Sequence, residues 1–189
     1  MKKLKSIAIA VITATVLMGC SAQNMNKNNT KMVGGAEMYP TKNIIENAVN
    51  SKDHTTLVAA VKAADLVTVL QGEGPFTVFA PTNAAFDKLP SGTVPTLLKT
   101  ENKEMLQGVL TYHVIPGRFG ANDIMSAIKK GNGTATFTTV NGGELKAMLE
   151  GNNVKIWDAA GNVSTVTIAD VNQSNGVIHV IDTVLLPGK

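Results

Sequence analysis

His54, His113 and His179 are the residues of this chain whose type could do acid–base chemistry or hold a metal ion. They stand far apart and belong to no ligand-spaced motif, so no metal site is expected. A His179–Asp182 base–carboxylate pair is geometrically poor, because residues three apart on a strand face opposite ways. His54 reads as an exposed or capping residue. His113 reads as a buried or half-buried ring hydrogen-bonded to nearby backbone, or else as a binding residue. Cys20 is the only cysteine, which excludes a disulfide framework and a thiolate metal site. No Gly-x-Ser-x-Gly elbow or phosphate-binding glycine loop is present. Acid, base and nucleophile do not converge, so the chain reads as a binding protein without a cofactor, not as an enzyme.

The segment before Cys20 has its own meaning. Lys2, Lys3 and Lys5 make a positive start, and Ser6 to Gly19 runs for 14 residues without a charge. That is too short for a finished bilayer span but suits the apolar centre of a secretory signal. It closes on Leu17-Met18-Gly19-Cys20, which resembles the lipobox of bacterial lipoproteins. The resemblance implies cleavage of residues 1–19, a lipid on the Cys20 thiol and acylation of the new N-terminus. The partner so implied is the membrane, reached through that lipid. Ser21 in place of an aspartate implies sorting to the outer membrane where the source has two membranes.

Removing the leader changes the charge. Three of the 17 Lys and Arg residues lie in it and no acid does, which leaves 14 bases against 14 acids. The basic character is therefore no argument for a nucleic-acid partner. One Trp and two Tyr also give little for stacking single-stranded bases. Residues 20–38 are rich in Asn, Lys and Gly and carry no apolar period, so they read as a flexible tether. Residues 39–189 are then a single domain.

Within that domain the apolar spacing is helical at Asn43 to Val49, Leu57 to Ala64, Asp65 to Leu70, Ala85 to Leu89, after Thr93, at Lys103 to Leu110 and around Ile124 to Ile128. Phe76 to Ala80 reads as a buried strand and Tyr112 to Ile115 as extended. Beyond Gly131 the period changes to two, with a hairpin signal at Asn141-Gly142-Gly143 and further strands to Leu186. Helices first and strands afterwards predict an α+β fold. Val177, His179 and Ile181 share one face of the last strand and Ile178, Val180 and Asp182 the other. Both faces are largely apolar, which predicts a central strand. Thr82 and Asn83 sit at a strand-to-helix joint and read as caps. Ser126-Ala127-Ile128-Lys129 matches a Ser-x-x-Lys spacing, but its companion motifs Ser-Asp-Asn and Lys-Thr-Gly are missing. It reads as the polar face of a helix.

Three segments together resemble the fasciclin domain: Phe76 to Phe86 with Leu89-Pro90, Leu110-Thr111-Tyr112-His113-Val114-Ile115-Pro116-Gly117, and Asn175 to Asp182 with Val184-Leu185-Leu186-Pro187. The resemblance covers Ile44 to Pro187 and implies a wedge of β-strands packed with several short helices. It also implies a secreted or cell-surface module, with the Tyr112–His113 pair linked to adhesion in animal members. An Asp-Ile pair that some animal domains carry ahead of the third segment is replaced here by Asn172-Gln173-Ser174, which argues against integrin-type recognition. The leading expectation is a lipid-anchored envelope module that binds matrix, polysaccharide or an envelope protein. The alternative is a carrier of an apolar small molecule, held in a groove between helices and sheet.

Overall fold

The computed structural model describes residues 30–188. Cys20, the leader and most of the expected tether lie outside those residues. The fold is α+β: seven strands form one sheet, and short helices cover it. In chain order the elements are β1 (Lys31–Val33), β2 (Ala36–Met38), α1 (Ile44–Ala48), α2 (Thr55–Ala63), α3 (Val67–Gln71), β3 (Phe76–Pro81), α4 (Asn83–Asp87), α5 (Thr93–Leu97), α6 (Lys103–Tyr112), β4 (Val114–Pro116), α7 (Ala121–Lys130), β5 (Thr134–Thr138), β6 (Glu144–Glu150), β7 (Asn153–Trp157), β8 (Val163–Gln173) and β9 (Gly176–Ile181).

The large sheet has the order β4-β3-β9-β8-β7-β6-β5. Only β3 and β9 run parallel among its neighbours. The sheet curls until its edges meet, where Val140 N–H donates to the Val114 carbonyl at 2.8 Å. Irregular pairing of β8 with β9 around Ile168 and Val171 accompanies the bend. β9 is central and buried along its whole length.

Alternation along β3 and β9 divides the interior. Val78, Ala80, Ile178 and Val180 face a helix-covered cluster with Ile44, Ile45, Ala60, Val61 and Leu70. Phe79 and Ile181 point the other way, into the curl of the sheet, with Tyr112, Ile124, Ile128, Leu145, Ile156 and Leu185. Each such aliphatic side chain contributes about 1.5–3 kcal/mol on burial.

Two boundaries differ from expectation. Residues 31–38 are not tether but a β-hairpin, with Lys31 opposite Met38 and Val33 opposite Ala36. Val33 and Met38 are buried in the helix-covered cluster, so the ordered domain begins before Tyr39. Two buried apolar residues are too few to outweigh an Asn- and Lys-rich composition when a window is read by pattern. Tyr112 is likewise the last residue of α6 rather than part of an extended segment.

Candidate functional site

α6 ends at His113, and the way it ends explains the ring. His113 N–H bonds to the Leu110 carbonyl at 3.1 Å, a tightened last turn that leaves the Val109 carbonyl without its helical partner. The His113 imidazole supplies one: Nδ1 lies 2.8 Å from the Val109 oxygen. Nε2 accepts from Leu185 N–H at 3.0 Å. A carbonyl can only accept and an amide N–H only donate, so these two contacts select the neutral ring with its proton on Nδ1. Burial holds the pKa of His113 down to about 4, only partly offset by the Val109 carbonyl and by Asp158.

Tyr112 is fully buried in the curl of the sheet. Its hydroxyl donates to the Glu144 carbonyl at 2.7 Å and accepts from Ala159 N–H at 2.9 Å. Burial pushes the phenol pKa up, opposed by the Ala159 contact and reinforced by Asp158 and Glu144. Neighbours in sequence, Tyr112 and His113 thus tie α6 to different parts of the β-half: the β6 and β7 ends for one, the C-terminal segment for the other.

His179 repeats the pattern with the opposite tautomer. Nε2 donates to the Phe119 carbonyl at 2.8 Å, and Nδ1 accepts from Asp170 N–H at 3.3 Å. Burial lowers its pKa, against the Phe119 carbonyl and Asp170. Among the described residues no hydrogen bond joins it to Asp182. The Asp182 carboxylate accepts from Thr165 N–H at 2.8 Å and from the hydroxyls of Ser164 and Thr183 at 3.2 and 3.1 Å. Burial raises the Asp182 pKa, but the Thr165, Thr183 and Ser164 bonds and the Lys88 ammonium outweigh that and leave it lowered. Asp182 is a stitch between the ends of β8 and β9.

Thr82 is the N-cap of α4, its hydroxyl accepting from Ala85 N–H at 3.3 Å. Asn83 caps a different helix: Oδ1 accepts from Thr56 N–H at 3.0 Å, and Nδ2 donates to the Lys52 carbonyl at 2.9 Å. It thereby fixes the start of α2 against the end of β3. Among the described residues no three His, Cys, Asp or Glu side chains gather as a metal site.

His54 is not exposed. It is buried at the start of α2, where it makes no capping bond. Nδ1 lies 2.8 Å from Ser51 Oγ, and burial lowers its pKa against the opposing pull of the Ala80 carbonyl and Asp53. Nothing in Lys52-Asp53-His54-Thr55 signals burial, because the cover comes from elements distant in sequence. Asn47 and Gln173 are also buried, bonded side chain to side chain, and tie α1 to the end of β8. On the outside, the register aligns Thr136, Lys146, Trp157 and Val163 across β5, β6, β7 and β8. All four are exposed, with 42% of Trp157 accessible.

Residues 52–187 match the model of the fasciclin domain, and the chain belongs to that family. It is similar to Protein sll1483 of Synechocystis sp., 45% identical over 166 residues that span 88% of this chain and 85% of that protein. It is similar also to the immunogenic protein MPB70 of Mycobacterium bovis, 36% identical, over 74% of this chain and 66% of that one. The cell surface glycolipoprotein MPB83 of the same species is 35% identical over 74% of this chain and 58% of its own length. Among solved structures, a FAS1 domain pair from the insect cell adhesion molecule Fasciclin I aligns at a TM-score of 0.48 with 28% identity, covering 67% of this chain and 40% of that one. Among the described residues no helix is long and apolar enough to cross a membrane.

Proposed function

We propose that this chain is a lipid-anchored cell-envelope module that adheres to its partner through the fasciclin domain. The Tyr112–His113 pair holds the fold, since both His113 nitrogens and the Tyr112 hydroxyl are spent on backbone. For the same reason His113 and His179 are not free to act as general bases, which supports a binding role over catalysis. Attachment to the membrane rests on Leu17-Met18-Gly19-Cys20, with two or more acyl chains needed for stable anchoring. The name of the M. bovis relative, a cell surface glycolipoprotein, agrees with that placement.

The observation that carries the adhesive reading is the outward row Thr136, Lys146, Trp157 and Val163. An exposed indole offers a large rigid surface at small entropic cost, and the flanking hydroxyl and ammonium are hydrogen-bond donors. That combination suits an envelope or matrix polysaccharide, with an apolar sugar face on the ring and hydroxyls on its neighbours; a protein partner is the alternative outcome. Trp157→Ala is expected to weaken attachment to extracted envelope polysaccharide at least tenfold without moving the melting temperature. Unchanged attachment removes this face from the proposal. Mass spectrometry of protein from its own host should show a lipidated Cys20, and an uncleaved leader would refute the anchor.

A further inference from the structure

The helix-covered cluster borders a cavity of about 50 Å³. One water takes up roughly 10–15 Å³ on that scale, so the space suits a run of roughly three to five heavy atoms. The hairpin, α1, α2, α3 and the sheet all line it, almost entirely with apolar side chains. Three polar side chains border it, Ser51, His54 and His113. None offers it a free group: Ser51 Oγ is bonded to His54 Nδ1, the His54 Nε2 is fully covered, and both His113 nitrogens are bonded. A buried water needs two to four polar partners, so the chamber favours hydrocarbon over water.

The cavity has a charged rim. Ala48, Val58, Lys62 and Val67 line it yet are partly or fully exposed, which places its mouth between α1, α2 and α3. Lys62 is the cation among these four, and as an exposed residue it lays its stem along apolar wall while its ammonium stays in water. Among the described residues the ion pairs involve Lys88, Lys99, Lys103 and Lys155, and Lys62 joins none of them. Asp65, the nearest acid along the chain, is already paired with Lys103. An apolar chamber with an unpaired cation at its door fits a ligand that is apolar at one end and anionic at the other. The charge must stay at the rim, because a carboxylate taken inside would be buried without a partner.

We propose that this cavity binds a short aliphatic carboxylate, with the chain inside and the carboxylate outside against the Lys62 ammonium. The site gives the carrier alternative a place and a chemistry. It shares no residue with the Trp157 row and does not depend on the adhesive reading.

The test is a titration of the ¹³C-methyl-labelled chain with the sodium salts of the straight-chain acids from acetate to octanoate, at constant ionic strength, with 1-hexanol as the uncharged control. Binding should be saturable, shift the methyls of Val67 and Val78, and raise the melting temperature. Each added methylene should tighten it about fourfold, and the gain should stop at pentanoate or hexanoate, where the chain fills the space. Hexanol should bind about two- to fivefold more weakly than hexanoate, the range that one exposed ion pair supplies. Lys62→Met keeps the stem and removes the charge, and it should erase that difference; the position is exposed, so the variant should fold. Val58→Trp closes the mouth and should abolish binding of every member of the series. The proposal is overturned by the absence of saturable hexanoate binding, by affinity that keeps climbing through octanoate, or by hexanoate binding that Lys62→Met leaves unchanged. Polysaccharide attachment through Trp157 should be unaffected in every arm, so the two proposals fail separately.

Discussion

One sheet serves two cores, and the two are finished differently. Inside the curl, Phe79, Tyr112, Ile124, Ile128, Leu145, Ile156, Ile181 and Leu185 are all completely buried, and the histidine that joins them, His179, has both nitrogens bonded. Under the helices the fully covered side chains are mostly smaller, a cavity remains, and His54 is bonded on one nitrogen only. The cause lies in the covering elements. β5 to β8 bring a continuous ladder of alternating side chains to the inner core, whereas α1 and α3 are five residues long and present barely one turn each. Short helices close a surface without filling it. The core inside the curl is saturated, and the one under the helices stays incompletely filled.

The largest expected effect falls on the border between them. His113→Ala leaves the Val109 carbonyl and the Leu185 N–H without partners and empties a ring's volume. Together these should cost about 3–5 kcal/mol, a drop in melting temperature on the order of 10 °C by calorimetry for a domain of this size. A variant that melts like the parent would show that His113 is not a structural anchor and return it to recognition.

Acidification tests the same contrast without mutation. His113 titrates near 4 in the folded protein and near 6.5 when unfolded. The unfolded state thus binds the extra proton first. Stability from this group is complete above about pH 6.5 and is lost as pH falls toward 4, by roughly 3 kcal/mol in all. His179 and His54 shift in the same direction and should add to the slope. Denaturant midpoints measured between pH 7 and 4 should fall steadily, and a flat profile would contradict the buried neutral rings.

Met38→Ala probes the helix-covered side. Its expected cost is about 2 kcal/mol, the low end for a buried Met→Ala change, because a cavity already borders the side chain and little further contact is lost. A chain beginning at Tyr39 should be less stable still than the point variant, which a comparison of melting temperatures decides. No loss on truncation would mean that the hairpin contributes nothing to the domain. The smallest effect is expected for Tyr112→Phe, about 1 kcal/mol, since the ring stays packed and only the bonds to Glu144 and Ala159 go; urea denaturation resolves a change of that size.

Local periodicity and capping were written in the sequence and survive folding. The helical spacing, the change to a period of two after Gly131, the central position of β9 and the cap at Thr82 are all decided by residues within a few positions of one another, where backbone geometry leaves few choices. Tyr112 and His113 stand out only through the resemblance of Leu110 to Gly117 to a fasciclin segment; local pattern sets Tyr112 in an extended stretch, and the structure makes it the last residue of α6. What the sequence did not determine is whatever depends on distant cover. Asp53-His54-Thr55 looks like a surface cap, and only tertiary packing buries the ring and leaves its Nε2 without a partner among the described residues. Val33 and Met38 look like stray apolar residues in a polar tether until the sheet and α1 give them a core to enter. Asn83 looks like a cap for its own helix, yet it answers the free N–H of Thr56, 27 residues away. A hydrogen bond or a cavity wall needs two partners, and where they lie far apart in the chain only the tertiary structure decides that they meet.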